Sequence, residues 1–348
     1  MGMAHHRKAS VPDHEDRGGE HPVLKPASWQ PPVTAERFDP RTNVYGLART
    51  LLATGMFATL MFTPAMALFH PVIGMSRAPY CDGVSAVSGF CIGEDGLSPD
   101  ARRYLLALLL VPSIIGWRPR IFVIWHWWVA FSIADSLSLP DGGDNVALIL
   151  TLAIIPFGLA DDRKWHWLVK DEKKALRSSV AAFCYVTHWA IRIQVAGIYF
   201  QSAVAKFGVR EWADGTALYY WLNDPTFGLL GPWKPVLQPF LENKYTVTAL
   251  TWGTICVELT LAFALFWNIG VRKRVFWLGI LLHAGIALFM GLFSFAVTMF
   301  GALVLVLHDP NVDLDLDLRR LIRNGRAEKE SENGSSSSAV HDRPLVLD

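Results

Sequence analysis

Apolar residues in this chain are gathered into long runs instead of alternating with polar ones at a soluble protein's spacing. A hydrocarbon core of about 30 Å is crossed by about 20 apolar residues in a helix, so runs of that kind read as membrane spans. The first runs from about Val44 to Phe69, the second from Tyr104 to Trp117 and the third from Ile121 to Leu139. The fourth covers Asn145–Ala160, the fifth Val180–Phe207 and the sixth Thr246–Trp267. Residues 275–307 are almost uncharged. As one helix they would reach about 50 Å, too long for a single crossing, so they split into two short spans near Met290-Gly291. The pattern predicts an all-α polytopic membrane bundle of about eight helices over residues 41–308. Residues 1–40 and 309–348 are polar, Pro-rich or of low complexity and read as disordered tails, the second with a short helix at Leu316–Arg323. No signal-peptide layout precedes the first span, so that span is expected to direct insertion.

The polar stretches between the runs set the expected orientation. Arg118 and Arg120, the segment DDRKWHWLVKDEKKALR and the loop NIGVRKR all fall on the side of the N-terminus. Short basic loops stay cytoplasmic, which places both termini in the cytoplasm. The long basic segment reads as an amphipathic helix lying on the inner membrane surface. On the other side fall the loop with Cys81 and Cys91, the turn Asp141-Gly-Gly-Asp144 and an aromatic loop of nearly forty residues expected to cap the bundle mouth. Two cysteines ten apart on an oxidising face predict a disulfide; a redox pair would show C-x-x-C. Asp141 and Asp144 suit a turn and a helix cap, with a site role as the alternative. The net charge of +1 gives no field for nucleic acid, and the eleven histidines show no zinc-like spacing with cysteine, so no metal site is expected.

Chemistry concentrates in the fifth run. At about 100° per residue, His188, Arg192, Tyr199, Ser202 and Lys206 share one stripe roughly 80° wide, and Gln194 and Gln201 form a second line. An ionised group in hydrocarbon costs about 2.5–3.5 kcal/mol, so such residues face a protein interior or a wet cavity. The same stripe is also consistent with polar glue between helices, with Lys206 reaching out at the helix end. Further ionisable residues fall inside other runs, among them His126 in WHWW, Asp135, Glu258 and His283. Arg49 either snorkels to the inner edge or reaches into the bundle.

The segments RTNVYGLARTLLA and PDGGDNVALIL carry a resemblance. So does the run R-x-Q-x-x-x-x-Y-x-x-S-x-x-x-K-x-x-x-x-x-W-x-x-G-T-A-L-Y-Y, which begins at Arg192 and includes Trp212, and so does the intramembrane His283. Together they resemble the sporulation-delaying protein SdpB family over about Arg41–His308. That family belongs to the wider HTTM superfamily, which includes the vitamin K-dependent gamma-glutamyl carboxylase. The resemblance implies a membrane protein that works with a secreted antimicrobial peptide toxin and its maturation partner proteins. In the carboxylase the lysine matching Lys206 is a base that deprotonates a quinol, so a quinol (menaquinone or vitamin K-like) is implied as a cofactor. A desolvated lysine accepts a proton more readily, and Arg192 nearby would add to that. Arg192, Tyr199 and His283 would complete the catalytic group, with His188, Ser202, Trp212, Asp141, Asp144 and Glu258 around it. The carboxylase's large lumenal domain has no counterpart here, so glutamate carboxylation does not carry over. Three functions follow as expectations: a membrane enzyme or maturation factor for the peptide, a non-enzymatic export or immunity protein, or a scaffold using its basic loops. No inverted repeat or nucleotide motif favours transport.

Overall fold

A computed structural model describes residues 34–70, 79–93, 96–138, 141–168, 175–309 and 313. Among these, the α-helices run in order: α1 Asn43–Phe62, α2 Ala65–Leu68, α3 Pro99–Ile115, α4 Pro119–Ser136, α5 Gly142–Ala153, α6 Ile155–Ala160, α7 Ser178–Lys206, α8 Arg210–Ala213, α9 Ala217–Asn223, α10 Lys234–Glu242, α11 Lys244–Phe263, α12 Ile269–Met290 and α13 Phe293–Leu307. No strand occurs among the described residues; one isolated bridge joins Trp117 and Trp165. Asn43–Phe62, Lys244–Phe266 and Ile269–Met290 are long and apolar enough to cross a membrane, and Gly142–Ala153 and Phe293–Leu307 are shorter apolar helices. Trp277 and Leu281 on α12 are 68% and 70% exposed, which suits a lipid-facing side and would be costly in water.

Helix ends follow local chemistry. Residues 275–307 do break in two: Gly291 takes the left-handed conformation (φ 78°) and closes α12, and α13 restarts at Phe293. The fourth run is also interrupted, between α5 and α6, where Pro156 cannot donate the helical bond. Asp141 and Asp144 form a reciprocal capping box on α5, with Asp144 N donating to Asp141 Oδ1 at 2.8 Å and Asp141 N donating to Asp144 Oδ2 at 3.1 Å.

The core sits around α13, which packs along α1 and α12 and against α5 and α7. Small residues permit the closest of these approaches. A Cβ on Gly55 would lie 2.3 Å from Thr298 Oγ1 and 2.9 Å from the Ser294 carbonyl oxygen, so only hydrogen fits between α1 and α13. A second cluster, Ala203, Trp212, Ala217 and Ile255, joins α7 to α11 and to the start of the aromatic loop. That loop folds over the ends of α11 and α12, with Leu230 N donating to Phe289 O at 2.9 Å.

Two expectations are corrected, and the open reading of Arg49 is decided. The basic segment after α6 is no surface helix where it is described: residues 161–168 and 175–177 are non-helical, and Asp161, Arg163 and His166 are buried. His166 enters the bundle because Gly46 and Gly116 leave room; a Cβ on either would come within 2.8 and 2.3 Å of its ring. Thr50 Oγ1 contacts its Nε2 at 3.4 Å, and Arg49 bonds its Nδ1, so Arg49 reaches inward. The packed chain also begins before residue 41, since Phe38 is 1% exposed against Tyr45, Phe157, Tyr185 and His188. The helix expected at Leu316–Arg323 lies outside the described residues.

The expected disulfide is present between Cys81 and Cys91. Its loop is held by a buried guanidinium that the sequence did not single out. Arg102 donates to the carbonyl oxygens of Phe90 at 2.7 Å, Ile92 at 3.2 Å, Gly93 at 2.5 Å and Leu97 at 3.0 Å. Beside it, Arg103 binds the carbonyls that end α1 at Leu60 and Met61 and pairs with Asp100 at 2.9 Å.

Candidate functional site

The stripe on α7 exists as a buried face, but its members meet three different helices. His188, Arg192 and Tyr199 are 4%, 4% and 3% exposed, whereas Gln194 and Gln201 point outward. From His188 to Lys206 the helix rises about 27 Å, close to the roughly 30 Å thickness of a bilayer's hydrocarbon core. It divides into two groups.

The first group lies toward the start of α1. His188 Nδ1 contacts Tyr45 Oη at 2.9 Å, and Arg192 Nη1 is 3.5 Å from His188 Nε2. The Arg192 guanidinium also stands 4.8 Å from the Trp189 ring centroid. Tyr45 was not marked as a site residue in the sequence; its partner is 143 positions away, and nothing local announces it.

The second group lies toward the far end of α7. Lys206 Nζ is 2.7 and 2.8 Å from the two carboxylate oxygens of Glu258 on α11. It also donates to Ser202 Oγ at 2.7 Å and Ser202 O at 3.3 Å, and Ser202 Oγ donates to Glu258 at 3.1 Å. Trp212 covers the amine, its ring centroid 5.1 Å away. Two turns before Lys206, Tyr199 Oη contacts His283 Nε2 of α12 at 2.9 Å, with the rings stacked at 19°. Tyr199 lies within electrostatic reach of Glu258, which makes the two pairs neighbours. His283 Nδ1 is buried with no hydrogen-bond partner among the described residues.

These contacts change the expected chemistry. Four acceptor contacts surround Lys206 Nζ and no donor faces it, a geometry that fits the three N–H bonds of an ammonium and leaves nothing for a lone pair. Arg192 does not act on Lys206, since fourteen residues of helix separate them by about 21 Å. Asp141 and Asp144 stay in their capping box and approach the group only through Phe295, which packs on Gly143 and meets the His283 ring edge-on at 5.6 Å. His126 is 1% exposed, apart from both groups, and neither ring nitrogen has a hydrogen-bond partner among the described residues. No group of His, Cys, Asp and Glu suited to a metal occurs among the described residues.

No family model matches the chain, and no solved structure matches it. Two proteins of Bacillus subtilis (strain 168) are similar. One is described as the uncharacterized protein YitO, 35% identical over 302 residues that cover 85% of this chain and 96% of that protein. The other is sporulation-delaying protein SdpB, 33% identical over 274 residues that cover 78% of this chain and 83% of that protein. With a third of the aligned residues identical over more than three quarters of its length, the chain belongs to the sporulation-delaying protein SdpB family.

Proposed function

We propose that this chain is an integral membrane protein that helps produce a secreted, sporulation-delaying-type peptide toxin, and that Lys206, Glu258, Ser202, Tyr199 and His283 form its working site. The role comes from the family, one of whose members is named for delaying sporulation. The site rests on one observation: an ion pair and an imidazole–phenol pair lie side by side inside a lipid-facing bundle, where apolar packing would cost far less. In this reading the chain crosses eight times over residues 41–308, with both termini cytoplasmic and the Lys206 end outward. Its basic loops all on one side support that arrangement. Its partners are the bilayer, the toxin peptide and the proteins that mature it.

The chemistry follows from the contacts. Lys206 is a fixed positive charge that stabilises an anion forming beside it, while the Glu258 carboxylate and the free nitrogen of His283 are the groups able to take a proton. Tyr199 holds the His283 ring in place. The quinol implied by the resemblance to the carboxylase fits one feature, since His283 Nδ1 offers a buried, unsatisfied partner for a hydroxyl. Bound there, a quinol would supply reducing electrons and an acidic O–H.

Mass spectrometry of the peptide released by producing cells tests the reading, with membrane abundance measured for each variant. Lys206→Ala, His283→Ala and Glu258→Gln should release an unmodified peptide even when compared at matched membrane abundance. Lys206→Arg should retain part of the activity, because a guanidinium keeps the charge but cannot act as a base. An identical peptide in smaller amounts outside would instead support non-enzymatic export or immunity. Activity falling only in step with abundance would mean the cluster is structural.

A further inference from the structure

Two unpartnered polar atoms belong to residues that line one small cavity at the start of α1. Thr42, Tyr45, Gly46 and Arg49 follow the i, i+3, i+4, i+7 spacing of a single helix face. All four line a cavity of about 20 Å³ between α1, α6 and the segment that follows α6. Thr42 and Arg49 are 3% and 5% exposed. Thr42 Oγ1 and Arg49 Nε nevertheless have no hydrogen-bond partner among the described residues. Thr42 is the N-cap residue of α1, yet its side chain makes no cap bond. The Arg49 stem leans toward the helix N-terminus, back over Gly46 toward Thr42, and Gly46 puts no side chain in its way.

Neighbouring polar groups are already engaged. Arg163 Nη2 donates to Thr42 O at 3.3 Å, and Arg163 binds both carboxylate oxygens of Asp161 at 2.8 and 2.7 Å. His166 has Arg49 on Nδ1 and Thr50 Oγ1 at 3.4 Å on Nε2. What remains is one hydroxyl and one guanidinium N–H, and burying either unpaired costs free energy on the scale of a lost hydrogen bond. A water molecule needs roughly 10–15 Å³ and two to four polar partners, so the space admits one. Charge separates water from a small anion. Arg49 and Asp161 are the cation and the carboxylate that line the cavity, and their charges cancel. A halide would add a buried negative charge beside Asp161, whereas water accepts from the N–H and exchanges a hydrogen bond with the hydroxyl.

We propose that this cavity is a binding site for one ordered water, which accepts the Arg49 Nε–H bond and hydrogen-bonds Thr42 Oγ1. The water completes the partners of a cation that sits inside the bundle and leaves Arg49 free to hold His166. The site is separate from the Lys206 cluster and does not depend on its chemistry.

The test uses crystals and detergent solutions of the purified full-length protein. A density map fine enough to show waters should place one ordered peak within about 2.7–3.2 Å of both atoms. Crystals soaked in sodium bromide should give no anomalous peak there. Thr42→Val keeps the branched shape and removes the hydroxyl, and because that hydroxyl caps nothing, its loss reports on the cavity. With water bound, the variant deprives the water of a partner, and the unfolding midpoint should fall by about 2 °C. A dry cavity predicts the opposite sign, since a methyl group would then replace an unpaired buried hydroxyl. No peak, a bromide signal at the site, or a midpoint unchanged or raised in Thr42→Val would each overturn the proposal.

Discussion

Removing either member of the Lys206–Glu258 pair leaves the other charge in place without its partner, 17% and 12% exposed. Breaking a buried pair costs about 3 kcal/mol, whereas replacing both members with apolar groups is often close to neutral. Unfolding of Lys206→Met, Glu258→Leu and the double variant in detergent should therefore show two large single losses and a much smaller double one. Additive losses would mean that the pair is not coupled in the folded protein. His166 gives a prediction in pH. It lies between helices, where burial and then the charges of Arg49 and Arg163 push its imidazole from 6.5 down to about 2. The folded protein keeps this ring neutral while the unfolded chain protonates it below about 6.5, so stability falls as pH falls through that window. From pH 7 to pH 5 this ring should account for about 2 kcal/mol, at roughly 1.4 kcal/mol per unit below 6.5. Arg49, and Arg163 with its partner Asp161 at 2.7 Å, are the charged groups facing it. Measuring unfolding midpoints at both pH values should give His166→Gln a correspondingly shallower acid slope; equal slopes would remove the ring from the account.

At the scale of elements, α7 was legible because its polar residues recur at helical spacing, and its observed bounds lie within two residues of the expected span. The partners were not legible, because they lie on α1, α11 and α12, between 52 and 143 positions away. The break between α12 and α13 followed from length against bilayer thickness, and Gly291 executes it. The α1–α13 crossing is the reverse case, since nothing in the run around Gly55 marks it as a contact. Gly55→Leu should force these helices apart and cost about 3 kcal/mol or abolish stable insertion, as overpacking does. The exposed Gly197 of α7, where an added Cβ meets nothing within 4 Å, should accept Ala or Leu with little change in thermal midpoint. Equal effects at the two glycines would contradict the close approach.

For the whole molecule, the basic loops make a prediction about sidedness. Reporter fusions after Asn268 and in the C-terminal tail should read as cytoplasmic, and fusions near Asp224 as external. A C-terminal tail on the outside would mean an odd number of crossings, against the break at Gly291 that turns α13 back along α12.

The order of helices, the membrane character, the cap at Asp141 and the disulfide partners could be read along the chain because each depends on neighbours in sequence: run length, turn chemistry and loop spacing. The partition of one polar stripe into two distant groups depended on which helix stands against each turn of α7, and packing alone decides that. The same holds for His166, whose basic surroundings in sequence suggested a surface helix. Two glycines on other helices made room for it, and its ring went into the core. Lys206 shows the chemical consequence: its place on the stripe was local information, but its state follows from Glu258, which only the fold brings within hydrogen-bonding distance.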